Sequence, residues 1–211
     1  MIVLISPEMD LNNEIQILHQ LFDVGLEFYH FRKPDKSLQE HRDYLNRIDV
    51  KHHDKIITHY FHELAVEFNL KGIHLQEQVR IDFGTDLEKY VMENSKTLSV
   101  SSSFHNPSDL ESCSVNFNYH LLSPVFSSIS KQGYEGKGFD VNGTNKIIIG
   151  MGGVNEQTID ATLNLGYRGI GVLGGVWNSK DPVEAFLSIK RKYDELNHSN
   201  SNSIANVNFN N

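Results

Sequence analysis

Two stretches near the end of the chain decide the fold: Ile149-Gly150-Met151-Gly152-Gly153-Val154 and Gly169-Ile170-Gly171-Val172-Leu173-Gly174-Gly175-Val176. In each, a short apolar run closes on a glycine pair and gives way to a helical pattern. Runs that are apolar in succession, rather than alternating, suit parallel strands covered by helices on their outer face. Working outward from these two, the same alternation fills the rest of the chain. Strands are predicted at Ile2–Ile5, Glu27–Phe31, Lys55–Thr58, Ile73–Leu75, Thr97–Val100, Tyr119–Leu122, Ile147–Ile149 and Gly169–Leu173. Helical patterns follow at Leu11–Val24, Leu38–Ile48, Glu63–Phe68, Leu87–Met92, Pro107–Ser114, Glu156–Leu165 and Pro182–Tyr193, whereas Phe126–Gly143 reads as a long loop.

Eight such units predict a single α/β domain of the (β/α)8 TIM-barrel class over residues 1–196, a compact version of a fold that usually takes about 250 residues. A doubly wound open sheet would want fewer strands and a glycine-rich turn after the first, and Ile5-Ser6-Pro7-Glu8 is no such turn. Gly25 and Gly166 each follow a helical pattern and suit C-terminal caps; Asn155 and the Ser179–Pro182 segment suit helix starts. From Asn197 the chain is dominated by asparagine and serine, so residues 197–211 are predicted to be a disordered tail.

The net charge of -8 argues against a nucleic-acid or anionic-membrane surface. The single cysteine, Cys113, has no partner for a disulfide or a thiolate metal cluster. No apolar run approaches the roughly 20 residues that span a bilayer, and the first residues read as a strand rather than a signal peptide. A cytoplasmic setting without nucleic-acid or membrane partners is the expectation.

The glycine pairs Gly152-Gly153 and Gly174-Gly175 end the seventh and eighth strands, where barrels commonly turn backbone N–H groups and a helix terminus toward a phosphate. Tight packing of strand against helix also favours glycine there. Arg32 shares a strand face with His30 and stands at the mouth, where an anion is its natural partner and a surface ion pair the plainer one. Lys33, next to it, is as compatible with solvent as with function. After strand six, a hydroxyl-rich loop carries Ser130 and Lys131, able to cover a phosphorylated ligand. Of 11 histidines, His30, His59, His74 and His105 fall at or near the ends of strands two to five and are the catalytic candidates, since imidazole titrates near neutrality. No metal site is expected, because there is no HExxH spacing and carboxylates are scarce at these strand ends.

Taken in order, Arg32, Gly72-Ile73-His74-Leu75, Ser123-Pro124-Val125-Phe126, Ser130-Lys131 and Gly152-Gly153-Val154 resemble the superfamily of thiamine-phosphate synthase and TenI-type thiazole tautomerase. The resemblance runs from Ile2 to about Lys192. It implies a role in thiamine biosynthesis on a phosphorylated thiazole or thiamine phosphate, as synthase or as tautomerase, with a catalytically inactive phosphate-ligand-binding homologue as the alternative. It places Gly152, Gly153, Gly174 and Gly175 at the thiazole phosphate, Arg32 and Lys131 at the diphosphate of a second substrate, and Ser130 at a matching hydroxyl. A homodimer is left open. The departures lie elsewhere. The family's Asn-Asp pair at strand three is His59-Tyr60, its Asp after strand four is Val79, and the tautomerase histidine before Val-Phe is Pro124. Magnesium is therefore implied only if synthase activity is retained, and the resemblance does not say which histidine moves a proton.

Overall fold

The computed structural model describes residues 1–127 and 136–207, with side chains described through residue 197. Eight parallel strands close into a barrel in sequence order: β1 (Ile2–Ile5), β2 (Phe28–Phe31), β3 (Ile56–Thr58), β4 (Gly72–Leu75), β5 (Ser99–Phe104), β6 (Tyr119–Leu122), β7 (Ile148–Met151) and β8 (Gly169–Val172). Pairing of Ile2 with Ile170 and Leu4 with Val172 joins β1 to β8 and completes the ring. The helices around it are α1 (Glu14–Asp23), α2 (Leu38–Asn46), α3 (Glu63–Glu67), α4 (Glu77–Asp82), α5 (Leu87–Asn94), α6 (Pro107–Ser112), α7 (Ile159–Asn164), α8 (Gly174–Trp177) and α9 (Pro182–Val207). Among the described residues between β6 and β7 there is no helix, as the sequence leads one to expect.

Five details differ from the sequence reading. Strand β5 extends through Phe104 rather than stopping at Val100, because Ser101–Phe104 pair with Tyr119–Leu122 despite their low apolar content. Two helices, α4 and α5, connect β4 to β5 where one was expected. The short α8 follows β8 directly, and α7 starts at Ile159, past the start expected beside Asn155. The last helix continues to Val207, beyond the boundary that composition suggested near Leu196.

The side-chain period of two sorts each strand into an inner and an outer face. Val3, Ile5, Ile57, Tyr119, Leu121 and Ile149 pack inside the barrel with Phe28 and Met151 against them. Tyr29, Phe31, Ile56, Ile73, Phe104 and Ile170 belong to the larger core between strands and helices. Fully burying each such side chain stabilises the fold by about 1.5–3 kcal/mol relative to exposure. The arrangement brings the C-terminal ends of all eight strands to one face, where a TIM barrel keeps its site. Helix α8 is pinned over the closure by Trp177, whose indole N–H donates to the carbonyl of Ile5 at 2.8 Å.

Candidate functional site at the barrel mouth

The inward-facing residues His30 of β2, His74 of β4 and Ser101 and Ser103 of β5, with His59 just after β3, are polar. His30 and His74 are fully buried and His59 is 6% exposed. His30 Nδ1 lies 2.9 Å from His59 Nε2, and its Nε2 is 2.6 Å from the Tyr119 hydroxyl across the barrel. His74 Nδ1 and Nε2 meet the hydroxyls of Ser101 and Ser103 at 2.8 and 2.7 Å. The rings of His59 and His74 stack with centroids 4.2 Å apart. Burial disfavours the charged imidazole, so it pushes His30 down to about 3 and holds His59 and His74 well below their ordinary value, with mutual repulsion adding to the last two. Three imidazoles are thus neutral inside one barrel.

His105 differs. It follows β5 directly, and the residues after it fix its place: Asn106 caps α6 through a 3.1 Å bond from the Ser108 N–H, with Pro107 in the first turn. The Glu77 carboxylate, opening α4, accepts both from the backbone N–H of His105 (3.0 Å) and from its Nδ1 (2.8 Å). The His105 side chain is 43% exposed, and its Nε2 has no hydrogen-bond partner among the described residues. Behind the pair, Arg80 is buried, 3.7 Å from Glu77 and with its guanidinium 3.9 Å over the Phe104 ring. Nδ1–H donation to a carboxylate fixes the tautomer that leaves Nε2 as a base.

Arg32 stands at the mouth, a third exposed, in an ion pair with Glu8, and its backbone exchanges hydrogen bonds with the Ser6 side chain. An incoming anion has to compete with that carboxylate. Lys33 is not solvated: it faces the helices with Tyr29 and Phe31, is fully buried, and binds Glu14 at 2.9 Å and Asp10 at 3.2 Å. Glu14 also accepts from Tyr44, which is 2.7 Å from the Tyr29 hydroxyl. This network anchors the loop after β1 to the loop after β2.

On the opposite side the site is backbone. Gly152 and Gly153 have φ of +90° and +65°, in the region that L side chains rarely adopt. The Val125 and Phe126 N–H groups bond to the carbonyls of Met151 and Gly152, drawing the loop after β6 onto the one after β7. A β-carbon at Gly153 would stand 2.7 Å from Phe126 Cβ and 2.9 Å from the Ser127 carbonyl oxygen, so tight packing is one reason for glycine there. Gly174 and Gly175 open α8, and a β-carbon on Gly175 would meet nothing closer than 3.8 Å. Ser130 and Lys131 lie outside the described residues.

Sequence reasoning missed Tyr119, Ser101 and Ser103 as partners of the histidines. Their signal was present: Ser99, Ser101 and Ser103 recur at a period of two, on one face of a strand. Glu77 gives no such signal, because its pairing with His105 joins the ends of β4 and β5 and needs their register.

The family model for thiamine monophosphate synthase matches residues 2–176. The chain belongs to this family. A thiamine-phosphate synthase of Prochlorococcus marinus subsp. pastoris is 23% identical over 198 residues, covering 89% of this chain and 54% of the relative. The chain thus spans about half the length of that curated relative. The crystal structure of thiamine phosphate pyrophosphorylase from Bacteroides thetaiotaomicron aligns with a TM-score of 0.68 at 25% identity, covering 92% of this chain and 97% of the other. The enzyme of the same name from Pyrococcus furiosus aligns with a TM-score of 0.75 at 15% identity, covering 92% and 95%, which speaks for the fold alone. Family membership brings the question of magnesium to the ends of β3 and β4. Magnesium wants oxygen ligands in an octahedron, whereas these positions offer His59, Tyr60, His74 and Val79. Glu77, the nearby carboxylate, is engaged through both oxygens by His105. The residues present do not fit that ion. Among the described residues, no helix is long and apolar enough to cross a membrane.

Proposed function

We propose that this family member acts on a phosphorylated thiazole of thiamine biosynthesis by moving a proton, as the tautomerase branch does, rather than by displacing a diphosphate. The observation that carries the reading is the Glu77–His105 pair, an accessible imidazole oriented by a carboxylate at the mouth of the barrel. Loss of a diphosphate needs its developing charge neutralised, usually by magnesium, and the strand ends lack the carboxylates for it. A proton shift needs only a base and a held substrate. His105 Nε2 takes a proton from one carbon of the thiazole tautomer, the electron pair moves into the ring, and a proton returns to a second carbon. Composition is unchanged. Glu77 steadies the transient imidazolium, and the amides around Gly174 and Gly175 are the candidate phosphate donors.

The test is turnover of the thiazole phosphate tautomer, followed by NMR. His105→Gln should lower kcat by about a hundredfold or more, in the range that general base catalysis supplies. Glu77→Gln, acting through His105, should lower kcat and shift the pH profile while KM stays close to wild type. Turnover undiminished in His105→Gln would end the proposal. Calorimetric binding of thiazole phosphate without any turnover would mark an inactive ligand-binding homologue instead. Formation of thiamine phosphate on adding aminopyrimidine diphosphate and magnesium would restore the synthase reading.

A further inference from the structure

The buried imidazoles of β2, β3 and β4 are not used by that chemistry, and they raise a separate question. One ring nitrogen each from His30, His59 and His74 lies within 4.8 Å of the others, all three residues being buried. Hydrogen bonds do not satisfy every polar atom of this cluster, as they do not satisfy His41 Nε2, His52 Nδ1 and His120 Nε2 elsewhere among the described residues. His59 Nδ1 is buried without a partner among the described residues. The 2.9 Å contact between His30 Nδ1 and His59 Nε2 uses one proton between two nitrogens. Whichever ring donates it, His59 Nδ1 remains either an unpaired donor or an unpaired acceptor.

Two of the three rings have outer partners of the kind a second coordination shell supplies. Histidines that ligate a metal almost always engage their other ring nitrogen with an oxygen, which fixes ring and tautomer. Here the Tyr119 hydroxyl holds His30 Nε2, while Ser101 and Ser103 hold His74. We infer that His30, His59 and His74, whose ring nitrogens lie within 4.8 Å of one another, form a transition-metal site of the zinc type inside the barrel, with the ion replacing the proton shared by His30 and His59 Nε2 and leaving the remaining His59 proton on Nδ1. Three nitrogen donors and no carboxylate suit Zn²⁺ or a neighbouring first-row ion rather than magnesium. Zinc–nitrogen bonds of about 2.0–2.1 Å in a tetrahedron separate ligand atoms by roughly 3.3 Å. His30 and His59 therefore part by a few tenths of an ångström, and His74 exchanges one serine contact for the ion. Three neutral ligands leave the ion's double charge uncompensated. Its open position takes an anion: hydroxide, or a carboxylate or phosphate oxygen. A sequence search for ligands close together in the chain could not find this set, because the three come from β2, from the residue after β3 and from β4.

The site does not depend on the reaction proposed for Glu77 and His105, and its test reads metal rather than turnover. The purified full chain, stripped with chelator, is titrated with Co²⁺ and then with Zn²⁺. One Co²⁺ per chain, with the intense visible absorption of a four-coordinate nitrogen site and displacement by Zn²⁺, is the expected result. His59→Gln and His74→Gln should each weaken Co²⁺ binding at least tenfold and abolish the band, with far-UV circular dichroism showing them folded. His105→Gln should bind as wild type does. If the variants do not fold, NMR of the wild-type Co²⁺ form decides, since three histidine ring systems should be paramagnetically shifted. Failure of the wild type to bind one ion, an unchanged spectrum in both folded variants, loss of binding in His105→Gln, or fewer than three shifted rings would each overturn the site.

Discussion

On the β2–β5 side of the mouth the strand ends present side chains; on the β6–β8 side they present backbone. The first side holds His30, His59, His74 and the Glu77–His105 pair, braced from behind by the Lys33–Glu14–Tyr44 network. The second is made of glycines over which the loop after β6 is laced by main-chain hydrogen bonds. The resemblance to the family is also divided this way. Both halves keep some of the pattern, in Gly72–Leu75 and in Ser123–Phe126 with Gly152–Val154, but the replaced magnesium ligands all lie on the first. A backbone cradle can hold the same group whatever side chains surround it, whereas a side-chain constellation changes its chemistry with one substitution. In this chain the glycine turns and His74 follow the family pattern, and the departures are His59-Tyr60, Val79 and Pro124.

The largest expected effect tests the bracing of the side-chain half. Lys33→Met leaves Glu14 buried without its cation and should cost about 3–5 kcal/mol of stability, measured by urea unfolding. Adding Glu14→Leu should recover much of it. A cost below about 1 kcal/mol would show that packing, not the ion pair, holds that half.

Next, Gly153→Val attacks the backbone half. Strain at a left-handed φ costs about 1–3 kcal/mol, and overpacking against Phe126 and Ser127 adds about 1–3 kcal/mol. A thermal scan showing wild-type stability would mean the loop yields, and the glycine is then kept for a ligand alone.

A smaller, graded effect belongs to the buried imidazoles. Burial holds His120 down to about 4 and His30 to about 3. The unfolded chain therefore binds protons that the native state refuses, and stability falls as pH drops from 6.5 toward 4. Each such histidine contributes up to about 1.4 kcal/mol per pH unit across that window. Urea midpoints at pH 7, 6 and 5 measure it, and flat midpoints would refute it.

Smallest in stability is Gly175→Ala. The added β-carbon meets only ordinary contacts, so stability should rise by at most about 1 kcal/mol. Binding of thiazole phosphate should nevertheless weaken, by calorimetry. Unchanged affinity would move the phosphate away from α8.

The barrel was legible because its signal is periodic and local: eight apolar runs alternate with seven helix patterns, two of them closed by glycine caps. The positions of His30, His59, His74 and His105 near strand ends were legible for the same reason. Their grouping was not. Three of them meet one another and the fourth meets Glu77, a division set by how neighbouring strands are staggered. Lys33 misled because a lysine after a strand usually reaches solvent, and only the placement of Glu14 on α1 reverses that. The end of β5 was missed because serine is a poor strand signal until a buried imidazole is there to receive it.

Trp177 is the only tryptophan in the chain, and it is 5% exposed. It rides on α8, beyond the last strand, yet its indole bonds to the first. Those two strands meet only when the ring closes, so the protein carries an intrinsic fluorophore at its own seam. Its emission should stay red-shifted through the assembly of any open sheet and move to the blue only at closure. In a stopped-flow refolding experiment it would time that one event without a label. In the folded protein it would report a ligand settling beside Gly174 and Gly175, two and three residues away along the chain.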